Sequence, residues 1–330
     1  MSRCDFITRS GFALLTFAIS YPLIPYTKMK NNKQYDVIVV GGSYSGLAAA
    51  MALGRALLSV LVIDSGKPCN VQTPHSHNFL TQDGKTPKEI STLAKKQVQN
   101  YSTVAFFNGI ATSGNKTAEG FEIQVESGET FQASKIIFAT GIKDILPAIN
   151  GFSDCWGISV LHCPYCHGYE VRNEKTGIFG NGEHGFELVS LISNWTEDLT
   201  LYTNGTSTLT IDQRHKLNNH NIKIEEREIE KLDHQNGYIQ NIIFKDGSKS
   251  KITALYSRNS FKQHSNIPES LGCELTIEGY LKVNLSQETT IEDVYACGDS
   301  TTKIRSVANS VAMGTTAGMM ASKKMIFQKF

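Results

Sequence analysis

The sequence predicts an α/β chain made of two units of one kind, each a buried strand that turns through glycines into a helix. Three observations predict it. Two glycine turns, Gly41–Gly42–Ser43–Tyr44–Ser45–Gly46 and Gly180–Asn181–Gly182–Glu183–His184–Gly185, each follow a short apolar run. Asp64 closes the strand after the first turn, 23 residues beyond Gly41. A chain of 330 residues is also longer than one hydrophobic core usually grows, so two domains are expected.

The first unit opens on Tyr35–Asp36–Val37–Ile38–Val39–Val40, the nearly continuous apolar run of a buried parallel strand. After the glycine turn, a small-residue helix spans 47–58 and a second strand 59–63, ending on Asp64. The polar stretch 72–86, with His75, His77 and Asp83, reads as a loop, and nothing in the sequence ties it to a site. A helix over 87–99, short alternating stretches and a buried strand at 135–138 follow. The segment 141–156 reads as a crossing into the second unit. That unit repeats the pattern with a strand at 176–179, the second turn, an amphipathic helix over 186–195 and a strand at 199–202. Asn236–Gly237 and Asp246–Gly247 are hairpin signals. A late strand over 291–296 runs into Gly298–Asp299, and a long helix from 307 to 326 closes the pattern.

Composition narrows the classes. The chain is 40% hydrophobic and 19% charged, with a formal charge of +1, so it lacks the strongly basic character of a nucleic-acid surface. Its seven cysteines are odd in number and widely spread, unlike a secreted disulfide framework. Near the start, Arg3 and Arg9 precede the apolar run Gly11–Phe12–Ala13–Leu14–Leu15–Thr16–Phe17–Ala18–Ile19–Ser20, similar to the charged start and apolar core of a signal peptide. No small-x-small cleavage site follows, and the run is short for a membrane span. Residues 1–32 therefore read as an N-terminal extension or signal-like segment. A cytoplasmic location with no firm membrane association is expected, and export or tethering through residues 1–28 stays open.

A glycine turn between strand and helix lets backbone approach a pyrophosphate, whose charge meets the helix N-terminus. In the first turn Ser43 takes the second glycine position, and Asp64 sits where an acid grips ribose hydroxyls. The second turn has all three glycines, Gly180, Gly182 and Gly185. The strand after it ends Tyr202–Thr203–Asn204–Gly205, with neither a basic cluster for a 2′-phosphate nor an acid for a ribose.

The segment His162–Cys163–Pro164–Tyr165–Cys166–His167–Gly168 carries the strongest chemical signal. Two residues between cysteines let the sulfurs meet in a small loop, and one thiol of such a pair is often a thiolate near neutral pH. That thiolate can attack a disulfide while the other resolves the mixed disulfide. Three other readings stay open on the residues alone: c-type haem attachment, half of a zinc site, or two ordinary core cysteines. No metal site is expected.

Further residues carry a family resemblance. Thr130-x4-Lys135–Ile136–Ile137–Phe138–Ala139–Thr140–Gly141 and Thr290–Ile291–Glu292–Asp293–Val294–Tyr295–Ala296–Cys297–Gly298–Asp299 are similar to the A-T-G and terminal G-D motifs of two-dinucleotide-domain flavoproteins. With the cysteine pair after the first crossover, the chain resembles the thioredoxin reductase-like family of FAD-dependent pyridine nucleotide-disulfide oxidoreductases. The resemblance implies two Rossmann-like dinucleotide-binding domains. The FAD domain is discontinuous, over 33–149 and 263–330, and the smaller NAD(P)H-type domain at 150–262 is inserted and carries the cysteines. It implies FAD at Gly41, Gly42, Ser43, Gly46, Asp64, Gly141 and Asp299, a nicotinamide nucleotide at Gly180, Gly182 and Gly185, and a homodimer.

It further implies that Cys166 is the thiol beside the flavin and Cys163 the interchange thiol. His167 stands where thioredoxin reductases usually have an aspartate proton donor, and an imidazole can be acid or base near neutral pH. Three functions follow. One is a reductase passing electrons from NAD(P)H through FAD to a thioredoxin-like protein or small disulfide. Another is a dithiol oxidase delivering electrons to oxygen, which resembles the enzymes that close disulfides in small natural products. The third is a flavin-binding redox sensor.

Overall fold

The structure, a computed structural model, describes residues 34–330, so the signal-like segment lies outside the described residues. Strand β1 (Gln34–Val40) runs through the first turn into α1 (Tyr44–Arg55), followed by β2 (Val60–Asp64), α2 (Pro87–Gln99), β3 (Val104–Asn108), β4 (Ala111–Thr117), β5 (Gly120–Val125) and β6 (Thr130–Phe138). The chain then passes through β7 (Ile142–Asp144), α3 (Phe152–Cys155), β8 (Val160–Leu161) and α4 (Pro164–His167). Next come β9 (Thr176–Phe179), α5 (Gly182–Ile192), β10 (Leu199–Tyr202), α6 (Ile211–Asn219) and β11 (Lys223–Glu225). An antiparallel β12 (Ile229–Gln235), β13 (Tyr238–Phe244) and β14 (Lys249–Lys251) lead to β15 (Ala254–Ser257). The chain returns by β16 (Phe261–Gln263), α7 (Ile267–Ser270), β17 (Val294–Ala296) and α8 (Val307–Lys329).

Two sheets carry the two glycine turns. In the first, the order is β3-β2-β1-β6-β5-β4, with β17 also on β6. The outer edge of β6 is shared: Thr130–Ala133 pair antiparallel with β5, and Ile136–Phe138 pair parallel with β17. Alternate residues of β1 serve two cores, which explains why its sequence is apolar throughout. Val37 and Val39 pack toward Ala49, Leu53, Ala317 and Ala321 of α1 and α8, while Ile38 and Val40 pack toward Phe121, Ile123 and Ile267. The second sheet, β11-β10-β9-β15-β8, is parallel throughout. The two crossings between the sheets, β7 and β16, lie antiparallel to each other.

Several expected bounds shift for physical reasons. Helix α1 begins at Tyr44 rather than at residue 47, because Ser43 already has the extended backbone of an N-cap. Helix α5 begins at Gly182 and ends at Ile192, capped at its start by Asn181. The late strand is confined to Val294–Ala296, because Asp293 has φ 64°, which no strand residue adopts. Asn236 and Gly237, with φ 52° and 82°, form the two-residue hairpin turn between β12 and β13. Among the described residues, no helix is long and apolar enough to cross a membrane.

Candidate active site

The first glycine turn is held tightly from behind. A side-chain carbon at Gly46 would lie 1.8 Å from the Gly41 carbonyl oxygen, and one at Gly41, where φ is +104°, would lie 2.3 Å from that of Ala139. Only glycine permits this approach of turn, helix and β6. The Gly42 amide donates to Asp64 Oδ1 at 3.1 Å, so the acid at the end of β2 is tied to the turn. Ser43 makes no side-chain cap, and no acidic residue stands in the first turn of α1, leaving its positive end to an anion.

Gly41, Gly42, Ser43, Asp64, Gly141 and Asp299 line one cavity of about 1010 Å³, and Cys166 and His167 line it too. Gly46 supports the turn from outside that lining. Cys163 and Cys166 are joined as a disulfide with Cα atoms 5.3 Å apart, and Cys163 is the N-cap of the short helix α4. Of the two sulfurs' residues, it is Cys166 that lines the cavity. Tyr165, between them, is exposed and meets Trp195 edge-on at 5.5 Å.

Asp299 is buried, which pushes its carboxyl pKa up, while the nearby Arg305 guanidinium opposes the rise. Arg305 Nη1 and Nη2 donate to the two carboxylate oxygens of Asp144, each at 2.8 Å. Its Nε stands 3.5 Å from Asp299 Oδ2, an ion-pair contact without a hydrogen bond. Burial works against the arginine's charge, but the Asp144 bonds outweigh it and hold the pKa above its ordinary value. Sequence reading missed both Arg305 and Asp144, because the contact joins residues 161 apart and neither lies in a motif.

Two histidines flank the cysteines. Burial, helped by the Arg305 charge, pushes His162 down to about 3, so it is neutral near pH 7. Its ring lies 5.9 Å from that of Trp156, and its buried Nε2 has no protein partner. Burial also lowers the pKa of His167, with Glu170 pulling it up and His77 pulling it down. His77 comes from the polar loop before α2, which the structure thus brings to the cavity wall. The loop's only advance signal was its density of histidine and acid.

The second glycine turn is not part of this cavity. Gly185 packs against Gly180, as close helix–strand packing requires. Yet Asn181 Oδ1 accepts from the Gly182 and Thr208 amides, both at 2.8 Å. Glu183 stands in the first turn of α5, accepting from Gln213 Nε2 at 2.6 Å. The Asn181 side chain thus takes one donor of the turn, the Gly182 amide, and Glu183 adds a carboxylate at the positive end that a pyrophosphate would use.

The first cavity fits a dinucleotide on its own terms. It offers a glycine cradle that any side chain would fill, an open helix N-terminus, and buried polar atoms on its wall without hydrogen-bond partners, among them Asn70 Oδ1, Thr140 Oγ1, His162 Nε2 and Gln263 Oε1. Comparison with known proteins agrees. The family model described as pyridine nucleotide-disulphide oxidoreductase matches residues 35–314. The thioredoxin reductase tcpT of Claviceps purpurea is 30% identical over 309 residues, spanning 90% of this chain and 96% of that protein. The thioredoxin reductase aclD of Aspergillus oryzae is 28% identical, over 89% and 98% of the two chains. A solved oxidoreductase from Agrobacterium tumefaciens is 32% identical with a TM-score of 0.83, covering 89% of this chain and 99% of its own. The chain therefore belongs to the pyridine nucleotide-disulphide oxidoreductase family, as a thioredoxin reductase-like flavoprotein disulfide oxidoreductase.

Proposed function

We propose that electron pairs move between a bound FAD and a substrate dithiol or disulfide through Cys163 and Cys166, with His167 handling the accompanying proton. One observation carries this reading: Cys166 and His167 share a cavity with Gly41, Ser43, Asp64 and Asp299. Gly41, Gly42, Ser43, Gly46, Asp64, Gly141 and Asp299 would hold FAD, which supplies a two-electron acceptor and donor. Burial keeps His167 neutral and able to take a proton from sulfur. Residues 33–149 and 263–330 would form the FAD domain and 150–262 the inserted domain. The enzyme would act as a homodimer.

In the reductive direction, NAD(P)H at Gly180, Gly182 and Gly185 is the donor. The Cys163 thiolate attacks a disulfide of a thioredoxin-like protein or small molecule, and Cys166 resolves the mixed disulfide. A second reading, a dithiol oxidase with oxygen as acceptor, is favoured by one specific feature. Asn181 takes the Gly182 amide of the second turn, and Glu183 places a carboxylate at the start of α5. In that direction a substrate thiolate attacks Cys163, Cys166 leaves as thiolate, and the substrate's second thiol completes the exchange. Anaerobic titration of the yellow protein with NADPH, NADH and dithiothreitol separates the two. Rapid bleaching by NADPH excludes the pure oxidase, and bleaching by dithiol alone excludes the reductase.

A further inference from the structure

Each cycle of the cysteine pair moves protons as well as electrons. When a substrate dithiol reduces Cys163–Cys166, two thiols become a disulfide and a disulfide becomes two thiols, with no net proton released. When the pair then re-forms its S–S bond, two S–H bonds break. The electron pair and one proton would go to the bound flavin, and the second proton must leave the cavity through a base.

His167 is the first such base, beside Cys166 on the cavity wall. The titratable groups that act on it are Glu170, which follows α4, and His77, from the loop before α2, and it in turn acts on His162. His77 Nε2 lies 3.5 Å from Glu170 Oε1, and His77 Nδ1 lies 3.6 Å from Asp83 Oδ2. The Asn78 amide holds Asp83 at 2.8 Å. Exposure rises outward from His77 at 20% to Glu170 at 40% and Asp83 at 67%. Two further titratable groups face this row. His75 bonds the Gly84 carbonyl oxygen with its ring 6.4 Å from that of His77, and the buried Tyr256 senses Glu170. His77 thus stands between two carboxylates, each at a separation that a small side-chain rotation closes to hydrogen-bond length.

We propose that His77 is a proton-relay residue of the cysteine chemistry, passing the proton collected by His167 to the more exposed carboxylates of Glu170 and Asp83 and so to water. The proposal rests on the reading of Cys163–Cys166 as the exchanging pair. His77 acts through His167 and is in this sense a positioning residue. The relay explains why a loop distant in sequence, and in the other glycine-turn unit, carries its histidine to the redox helix.

The test is stopped-flow anaerobic bleaching of the FAD-loaded enzyme by dithiothreitol across the neutral pH range, in wild type, His77→Gln and Glu170→Gln. Both variants should bleach roughly tenfold more slowly. Glu170 raises the pKa of His167 and His77 lowers it. The acid limb of the rate profile should therefore move down in Glu170→Gln and up in His77→Gln. Free imidazole should partly restore the rate of His77→Ala. Variants with wild-type rates and profiles overturn the relay while leaving the cysteine reading intact. Slow variants whose profiles do not move and that imidazole does not rescue also overturn it, as marks of a merely structural role. A wild type that dithiol does not bleach overturns the cysteine reading, and the relay with it.

Discussion

At the scale of single residues, burial sets the chemistry around the disulfide. His162 is neutral because desolvation and the Arg305 charge both disfavour its proton. The unfolded chain binds that proton below the ordinary histidine pKa of about 6.5, and the folded chain only near 3. Stability from this group is therefore present above about pH 6.5 and lost as pH falls from there toward 3, at up to about 1.4 kcal/mol per pH unit. A His162→Gln variant should lose that part of the acid sensitivity, which thermal melts of the holoenzyme between those limits would show. His162, Cys163, Cys166 and His167 were legible as a cluster because they are neighbours in the chain. Arg305, Asp144, His77 and Glu170 were not, because their significance arises only from partners brought together by the fold.

At the scale of elements, the packing of α8 on α1 fixes the first turn. A side-chain carbon at Gly318 would lie 2.5 Å from the Ala49 carbonyl oxygen, and one at Gly314 would lie 2.0 Å from that of Ser45. Gly318→Ala must push α8 away from α1, at a cost of about 1–3 kcal/mol. It should lower the melting temperature and release FAD more readily, read as free-flavin fluorescence. Strands at 176–179 and 199–202 matched their sequence signals residue for residue, because buried parallel strands read as short apolar runs. Helix α6 went unread although Thr210 and Gln213 form a capping box, because few of its residues are apolar enough to give a helical period. The start of α1 was placed late because the glycines and serines of a phosphate-type turn look like loop residues until Ser43 is seen as the N-cap.

At the scale of the whole molecule, one cation ties the parts of the site together. Arg305, just before α8, binds Asp144 on the crossing strand β7 and faces Asp299 across the cavity rim. Asp144→Asn leaves a buried guanidinium short of its counter-charge, and breaking such a pair costs about 3–5 kcal/mol. The variant should melt several degrees lower and retain FAD less tightly, whereas a surface pair such as Lys245–Glu228 can be removed with little effect. Two glycine-turn units were readable in the sequence. Their unequal state was only half readable: the lack of basic residues after Tyr202 was visible, but the Asn181 side chain bonded to the Gly182 amide was not.

The central claim is that a dithiol substrate and the flavin exchange electrons only through the cysteine pair. It is tested most directly by anaerobic bleaching of the FAD-loaded protein with dithiothreitol, comparing wild type with Cys166→Ser. The wild type should lose its yellow colour and Cys166→Ser should keep it. Bleaching of Cys166→Ser at the wild-type rate would contradict the claim.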